Sequence, residues 1–505
     1  MLYDLHLLAL ALQMPLRAPA PRLVATGTGT DGATWAASLA DASEIHGAGA
    51  GAAFYDAFTQ LAMSPEFAAD SWARRPLLMD TVPGVVGSFT LDDLQAAVDD
   101  DFLDAGRGIP DEDAPGGWKM APVSQPRGPS FEDAKMRFID VQAAMGQGTV
   151  VFNSAGAHIP ALGTMCLAAL DAFDLPNCLN LYVTAKGTST SAPPHTDKQD
   201  VFVLQACGAK RWRVFGPPSP SKKPLADPLA RGKAHDALAL SELGEPLIDT
   251  VLAPGQLLYV PAGFPHTTDT CNTGEAGAAA DEDSVHLTIG LDTHIWGLNY
   301  AGMRSGALAR AQLPDTLNPH TLPAADYWRL MGVPRSLGFL RQHADAEGAL
   351  AAELVACARL TEPSRWADAT DSEMCETLDA AGVAGQIAAH AERVVAVQRA
   401  MYLDAARDVR PSTPGMPRVS IFRVKEHMAK LESAMEEHLL WYGDEALARV
   451  EAAAKGAAAP PTKTKGSGKT AVGAVAGGFG GSGAGGGGKA KGKAAKGKAK
   501  GKKKR

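Results

Sequence analysis

The feature that most limits how this 505-residue chain can fold is a series of short apolar runs between residues 148 and 292. The runs are GTVVFN, LNLYVTA, DVFVLQA, KRWRVFG, DTVLAPGQLLYVPAG and SVHLTIGLD. They are rich in valine, leucine and phenylalanine and bounded by glycine or proline, which is typical of strands. One helix, PALGTMCLAALDAF, is predicted after the first run. The middle of the chain is therefore predicted to be an all-β sheet or barrel.

Helical periodicity surrounds this β region on both sides. Segments such as AAFYDAFTQLAM precede it, and EGALAAELVACARL, AGQIAAHAERVVAVQRAMYLDA and KEHMAKLESAMEEHLLWYGDEALARV follow it. A short β-like piece, RVSIFRV, interrupts the later helices. We predict a weakly ordered leader (1–50), a β domain with flanking helices (51–300), a helical region (301–405), a C-terminal region (406–454) and a tail (455–505).

Several classes of protein are disfavoured by the sequence. No stretch reaches about 18 consecutive apolar residues, so we expect no membrane-spanning helix. A secretory signal would carry positive charge where this chain has Asp4, so we do not expect one. An organelle transit peptide remains an alternative, because Arg17 and Arg22 lie in a stretch without acidic residues. The six cysteines show no paired spacing, which favours reduced thiols over a disulfide framework or a zinc knuckle.

Charge is distributed unevenly along the chain. Residues 455–505 contain 13 lysines, one arginine and no acidic residue, and they are rich in glycine and alanine. Because the whole chain has 48 basic and 56 acidic residues, the part before the tail has 34 basic residues and a formal charge of −22. We expect the tail to be disordered, and to bind RNA or DNA without sequence preference or to serve as a nuclear or nucleolar address.

One polar stretch within the β region could bind a metal. In PPHTDKQDVFVLQA, His195 and Asp197 are two residues apart, so both can point to one side of an extended segment. The alternative is a polar turn before an ordinary buried strand. The best candidate for a third ligand is His266, which follows an apolar run and a Pro-x-Gly turn in PGQLLYVPAGFPHTT. Two histidines and one carboxylate suit ferrous iron and leave coordination positions open.

The segment around His266 resembles the second motif of cupin barrels, through the spacing of Gly255, Pro261, Gly263 and His266. Three longer stretches, NLYVTAKGTSTSAPPHTDKQDVFVLQACGAKRWRVFGPP, LAPGQLLYVPAGFPH and SVHLTIGLDTHIW, resemble JmjC-type ribosomal oxygenases. The similarity covers about residues 51–300. It implies a double-stranded β-helix, the cupin or JmjC jelly roll, with flanking α-helices. By position only, it implies helical dimerisation and winged-helix-like regions after that domain.

The resemblance also implies functional roles, residue by residue. His195, Asp197 and His266 would bind Fe(II), and Lys210 would pair with the far carboxylate of 2-oxoglutarate, the cosubstrate used with O2. Asn180 and Tyr182, on one face of LNLYVTA, and Thr288, in HLTIG, would line the same pocket. Strand alternation puts Lys210, Trp212 and Val214 on one face and Arg211, Arg213 and Phe215 on the other.

Some positions depart from the family pattern or favour a structural role. Thr196 and Lys198 replace a tyrosine and a second acidic residue found in many members, which leaves the ligands intact but bears on substrate choice. We interpret His286 and His294 as structural histidines, and Trp212 and Trp296 as core aromatic residues.

Three functions are compatible with these residues. The first is hydroxylation of a histidine or arginine side chain of a ribosomal protein. The second is a JmjC histone lysine demethylase with the same iron site, and the third is a non-catalytic cupin scaffold. We expect the first, as a homodimer without membrane contact, in the nucleus or nucleolus or alternatively in the cytoplasm or an organelle.

Overall fold

The structure is a computed structural model of the chain, built around two antiparallel β-sheets. It describes residues 50–408, except 80–81, 83–84, 101–117, 122–136, 147, 198, 217–237, 272, 294–295, 316 and 346, together with residues 433–435 and 438. The predictions for the leader, for nearly all of the C-terminal region, including RVSIFRV, and for the basic tail lie outside the described residues.

Seven strands form the larger sheet in the order β1-β9-β6-β11-β4-β3-β2, and four form the smaller sheet in the order β5-β10-β7-β8. The larger sheet contains β1 (Leu77–Met79), β2 (Trp118–Ala121), β3 (Thr149–Phe152), β4 (Asn177–Thr184), β6 (Asp200–Cys207), β9 (Leu257–Val260) and β11 (Ser284–Leu291). The smaller sheet contains β5 (Ala192–His195), β7 (Lys210–Phe215), β8 (Pro246–Leu252) and β10 (His266–Asp269). Each apolar run of the sequence analysis contributes at least one of these strands.

Two strands of the smaller sheet were not predicted from the sequence. β5 has the sequence APPH and β10 has the sequence HTTD, and neither resembles an apolar strand. β5 lies at the edge of its sheet, where proline is tolerated because no ladder hydrogen bond is lost. β10 is polar but buried throughout, because it pairs with β5 on one side and β7 on the other. Both candidate histidine ligands therefore lie in strands, and the segment before Asp197 is extended, as its pattern predicts.

Nine α-helices lie among the described residues. They are α1 (Ala50–Met63), α2 (Leu91–Asp99), α3 (Phe138–Met145), α4 (Pro160–Phe173), α5 (Tyr300–Arg310), α6 (Ala324–Met331), α7 (Ala349–Thr361), α8 (Asp371–Thr377) and α9 (Ala380–Ala406). α4 has the bounds that the sequence predicts, and its first residue is a proline, whose missing N–H is no loss at that position. No described helix is long and apolar enough to cross a membrane.

An aromatic cluster joins the helices to the outer side of the larger sheet. Phe202 of β6 is fully buried and stacks on Phe173 of α4, with ring centroids 5.1 Å apart. Its ring also lies 5.7 Å from Phe58 of α1 and 5.1 Å from Tyr259 of β9. A second apolar cluster, which includes Val203 and Leu258, lies between the two sheets. The central strands β6, β9 and β11 of the larger sheet are therefore buried on both faces.

The core extends past the predicted domain boundary at residue 300. Helix α9 packs on α4, and its Val383, Ile387 and Val394 belong to the same buried cluster as the outer side of the larger sheet. The first residue of β4 is held at both backbone groups, because Asn177 N–H donates to Gln398 Oε1 and Tyr402 Oη donates to Asn177 O. The predicted helical region is thus packed against the β domain.

We predict that Phe202→Ala lowers the free energy of unfolding by about 3–5 kcal/mol, because removing a buried ring leaves a cavity that its neighbours fill only in part. Urea denaturation followed by circular dichroism measures this change. The control Leu247→Ala removes a side chain from a residue that is 56% exposed, and it should change the unfolding free energy by less than about 0.5 kcal/mol. Equal effects of the two substitutions would contradict the assigned core.

Candidate metal centre

The two candidate histidine ligands face each other across paired strands. His195 ends β5 and His266 begins β10, and the two residues are direct partners in the antiparallel register. Their ring centroids are 4.3 Å apart, and both side chains are buried. Two residues that are about 70 positions apart in the sequence are thus brought together by one strand pair.

Asp197 completes the group from the loop after β5. Its carboxylate oxygens lie 3.9 Å from His195 Nε2 and 3.4 Å from His266 Nε2. One potential ligand atom from each of the three residues lies within 4.8 Å of the other two. This separation suits donors that share one ion, and the donor set of two imidazoles and a carboxylate fits ferrous iron. The structure therefore brings together the three ligands predicted from the sequence.

Both imidazole rings are oriented by backbone carbonyl groups. His195 Nδ1 lies 2.7 Å from Pro193 O, and His266 Nδ1 lies 3.1 Å from Phe264 O. A carbonyl oxygen only accepts, so each Nδ1 carries the proton and each Nε2 keeps its lone pair for a metal. Such partners fix ring orientation at metal sites. The fit to a metal thus includes the tautomer as well as the positions of the atoms.

The loop that carries Asp197 is joined to the turn before His266. Gly263 has φ +79°, in the left-handed region that glycine adopts without steric cost, and its N–H donates to Asp197 O at 2.9 Å. Nearby, Asp200 Oδ1 accepts from Tyr259 Oη at 2.7 Å and from Ala262 N–H at 3.3 Å. Burial raises the pKa of Asp200 to about 6, and these hydrogen bonds oppose that rise. The two metal-binding segments therefore hold each other in place.

A pocket opens over the three ligands. Its lining combines the ligands with further polar side chains and a few apolar ones, namely Thr149, Tyr182, Ser191, Ala192, His195, Asp197, Val201, Val203, Lys210, Trp212, His266, Thr268, His286 and Thr288. Lys210, Tyr182 and Thr288 were predicted to line it, and they do.

Lys210 is a buried cation within a network of hydroxyl groups. It is 1% exposed, and its Nζ donates to Thr184 Oγ1 at 2.7 Å. Thr184 Oγ1 is in turn 2.8 Å from Thr149 Oγ1, and His286 Nδ1 lies 3.4 Å from Lys210 Nζ. A charge-assisted donor among hydroxyl groups is suited to bind a carboxylate that enters the pocket.

Strand alternation in β7 is confirmed with one exception. Lys210, Trp212 and Val214 are buried, whereas Arg211 and Arg213 are half-buried on the other face. Phe215, predicted to share the arginine face, is buried as well. The pairing of β7 with β8 shifts register between Val214 and Phe215, so the regular alternation ends there.

Asn180 makes a contact that the sequence did not predict. Its side-chain Oδ1 accepts a hydrogen bond from Ser154 N–H at 2.8 Å. Ser154 has φ +53° in the turn that follows β3, a conformation that non-glycine residues rarely adopt. Asn180 thus stabilises this turn and is not among the residues that line the pocket, so its contact with 2-oxoglutarate stays a prediction.

Two pocket residues, His286 and Trp212, are interpreted as structural from the sequence, and Trp212 does belong to the buried apolar cluster between the sheets. His286 stacks on Tyr182, with centroids 4.6 Å apart, and meets the ring of Trp212 at 5.5 Å. Trp212 also stacks on the ligand His266 at 5.6 Å. His286 could have been recognised from the sequence, because it precedes Thr288 by two residues and therefore shares its face of the strand.

A buried carboxyl group lies just beyond the end of β11. Asp292 is fully buried, and its Oδ1 accepts from Gln199 Nε2 and lies 3.7 Å from Cys178 Sγ. Burial raises the pKa of Asp292 to about 8, although the hydrogen bonds from Gln199 and Cys178 oppose the rise. The group was not identified from the sequence, because no local pattern marks an aspartate at a strand end as buried.

Comparison with known proteins identifies the domain. Residues 167–296 match the family model described as JmjC domain. Ribosomal oxygenase 1 of Gallus gallus is 36% identical over 158 residues, which are 31% of this chain and 24% of that protein. The Drosophila willistoni protein named bifunctional lysine-specific demethylase and histidyl-hydroxylase NO66 is 35% identical over 145 residues, which are 28% of this chain and 17% of that protein. The chain thus matches less than a third of the length of either relative.

A solved structure of a ribosomal oxygenase is also similar. The Escherichia coli protein YcfD, in complex with cobalt and 2-oxoglutarate, is 17% identical, and the alignment covers 58% of this chain and 69% of that chain with a TM-score of 0.30.

Residues 167–296, which include strands β4 to β11, are thus similar to JmjC domains. The chain is similar in sequence to ribosomal oxygenases, and the resemblance inferred from its motifs is confirmed.

We predict that between pH 5 and pH 8 the free energy of unfolding falls less steeply with rising pH in Asp292→Asn than in the starting protein. The folded state retains a proton up to about pH 8, whereas the unfolded carboxyl group releases it near its ordinary pKa, so stability falls as pH rises across this interval. The expected difference in slope is about 1 kcal/mol per pH unit. Unfolding free energies in urea at pH 5, 6.5 and 8 provide the measurement.

The matched control is Asp249→Asn. The ion pair with Arg211 lowers the pKa of Asp249, so this group is ionised in both states above pH 5 and should leave the slope unchanged. An unchanged slope in Asp292→Asn would show that Asp292 does not retain its proton.

Proposed function

We propose that this chain is an Fe(II)- and 2-oxoglutarate-dependent oxygenase that hydroxylates a histidine or arginine side chain of a ribosomal protein. The observation that carries the proposal is the presence of two features in one pocket: the group His195, Asp197 and His266, and the buried cation of Lys210. Similarity to proteins named ribosomal oxygenase supports the substrate class.

The positions of the pocket residues support the roles that we propose for them. His195, Asp197 and His266 would hold the iron on one side, which leaves the pocket side free for the cosubstrate. Lys210 and Thr184 would bind the far carboxylate of 2-oxoglutarate. Bound iron supplies, with 2-oxoglutarate and O2, the oxidation that converts a C–H bond to C–OH and releases succinate and carbon dioxide.

The pocket wall would also protect this chemistry from water. Apolar side chains line part of the pocket, namely those of Trp212, Val201 and Val203, and all three are buried. Trp212 covers a face of the His266 ring, so it restricts both the ring and the solvent near it. These apolar side chains would keep the reacting centre close to one substrate C–H bond and away from bulk water.

A second activity uses the same residues. The Drosophila relatives are named lysine-specific demethylases as well as histidyl-hydroxylases. In a demethylase, the oxidised group would be an N-methyl carbon of a histone lysine, and the metal ligands and Lys210 would keep their tasks. Histone demethylation on chromatin is therefore the second candidate function.

The regions outside the JmjC domain add further parts to the proposal. We place homodimer formation in residues 301–405, where amphipathic helices would offer a face to a partner. The region 406–454 would be winged-helix-like, as its position in the chain suggests. The basic tail, with 14 cationic and no acidic residues, would bind RNA or DNA and direct the protein to the nucleus or nucleolus.

The proposed function predicts a gain of one oxygen atom on a ribosomal-protein peptide. Metal-free protein is loaded with Fe(II) and 2-oxoglutarate without air, peptides that tile the ribosomal proteins are added, and O2 is admitted. Mass spectrometry of the peptides should show one modified histidine or arginine, with stoichiometric release of succinate. His266→Ala should abolish both, because it removes an iron ligand.

Two arms make this experiment decisive. Lys210→Met should raise the KM for 2-oxoglutarate at least about tenfold, because a charge-assisted contact is lost, whereas Arg213→Met on the outer face should leave it unchanged.

A methylated histone peptide, tested in parallel under the same conditions, measures the demethylase activity. Demethylation of the histone peptide without hydroxylation of a ribosomal-protein peptide would show that the chain is a demethylase and not a ribosomal-protein hydroxylase. Succinate release that persists in His266→Ala would contradict the assigned metal centre.

Deletion of residues 455–505 should weaken binding to RNA and leave peptide turnover unchanged. The tail binds by releasing counterions, so the affinity of the full chain should fall steeply between 50 and 200 mM salt. Fluorescence anisotropy with a labelled single-stranded RNA measures binding, and the succinate assay measures turnover. Loss of turnover with the tail would show that it takes part in catalysis.

A further inference from the structure

The carboxylate ligand is the least enclosed of the three candidate ligands. The side chain of Asp197 is 25% exposed, whereas those of His195 and His266 are 3% and 4% exposed. Both histidines lie in paired strands, but Asp197 lies in the loop between β5 and β6. Its position therefore depends on what fixes this loop.

One fixed point of the loop is Gln199, two residues after Asp197. Its Nε2 donates to Asp292 Oδ1 and lies 3.3 Å from Cys178 Sγ. The side chain crosses β11 above Gly290, where an added Cβ would lie 2.7 Å from Gln199 Oε1. Because residue 290 is a glycine, the side chain of Gln199 has room to lie over it.

The acceptor of this hydrogen bond, Asp292, is itself buried and anchored through its backbone. Asp292 N–H donates to Pro176 O at 2.7 Å, and the residue is fully buried. Its second oxygen, Oδ2, has no hydrogen-bond partner among the described residues. Gln199 is therefore a principal donor to a buried carboxyl group, and leaving such a group without a donor is unfavourable.

We propose that Gln199 and Asp292 form a tether that positions Asp197 for metal binding. The tether fixes one end of the Asp197 segment, and the hydrogen bond from Gly263 N–H to Asp197 O fixes its middle. This inference rests on the proposed metal centre. In this view Gln199 is a positioning residue that acts through Asp197 without contact to the metal.

The tether predicts weaker metal binding when the amide is removed. In a titration of the metal-free full chain with Co(II), followed by its visible absorption, Gln199→Leu should raise the Kd about tenfold, as loss of supporting contacts around ligands typically does. The cobalt absorption bands should also change in shape or intensity, because the carboxylate is held less rigidly. Gln205→Leu is the control.

Gln205 is a buried glutamine on the same strand, β6, and its Nε2 donates to Cys207 O at 2.8 Å. Its loss should lower stability without moving the Asp197 loop, so the Kd for Co(II) should stay within about twofold of the starting protein. This control separates a positioning role from a general loss of packing.

Substitutions at two further positions, 290 and 292, test the geometry of the tether. Gly290→Ala should displace the flexible Gln199 side chain and raise the Kd as Gln199→Leu does, and the double variant should be no weaker than either single variant. Asp292→Asn keeps an acceptor at the same place, so it should bind Co(II) within about threefold of the starting protein, whereas Asp292→Ala should not.

Each outcome bears on one inference only. If the starting protein binds Co(II), His266→Ala does not, and Gln199→Leu binds as tightly as the starting protein, the tether is wrong and the metal centre stands. If His266→Ala binds Co(II) unchanged, the metal centre itself is wrong. Should Gln199→Leu fail to fold, Gly290→Ala and Asp292→Ala give the same measurement, and unchanged Kd values in both would overturn the tether.

Discussion

The metal centre depends on the pairing of β5 with β10. In this antiparallel pair, His195 and His266 are direct neighbours, so the distance between the two rings is set by the sheet and not by side-chain flexibility. Backbone carbonyls at Pro193 and Phe264 then fix each ring and its tautomer. A centre built in this way is organised before any metal arrives, which lowers the entropy lost when the metal binds.

The same pair of sheets keeps a lysine buried opposite the ligands. Lys210 begins β7, the strand that pairs with β10, so it is fixed relative to His266 by the same smaller sheet. Hydroxyl groups from Thr184 and Thr149 on the larger sheet surround its end of the pocket. A buried cation needs such partners, and a bound carboxylate would add a stronger one. The contacts that hold Lys210 between the two sheets are thus the ones that would position it for a bound carboxylate.

Much of this architecture could be predicted from the sequence. The apolar runs located most of the larger sheet, and helix α4 was predicted with its full range. The pattern around His195, Asp197 and His266 selected three side chains that the structure brings together. β5 and β10 could not be found in the same way, because APPH and HTTD are extended only through their partners. The role of Asn180 at the Ser154 turn likewise depends on a contact between strands, which local pattern does not encode.

The packing of the helical region was harder to predict, for a related reason. Periodicity marks where helices begin, but it does not tell which surface their apolar faces cover. Helix α9 buries Ile387 and Val394 against the same core as the larger sheet, and Gln398 and Tyr402 hold the first residue of β4. β4 also carries Asn180, Tyr182 and Thr184, so a helix some 200 residues downstream stabilises a strand that lines the pocket. The two sheets and this helix therefore form one packed unit, in which α9 supports β4 from the side opposite the pocket.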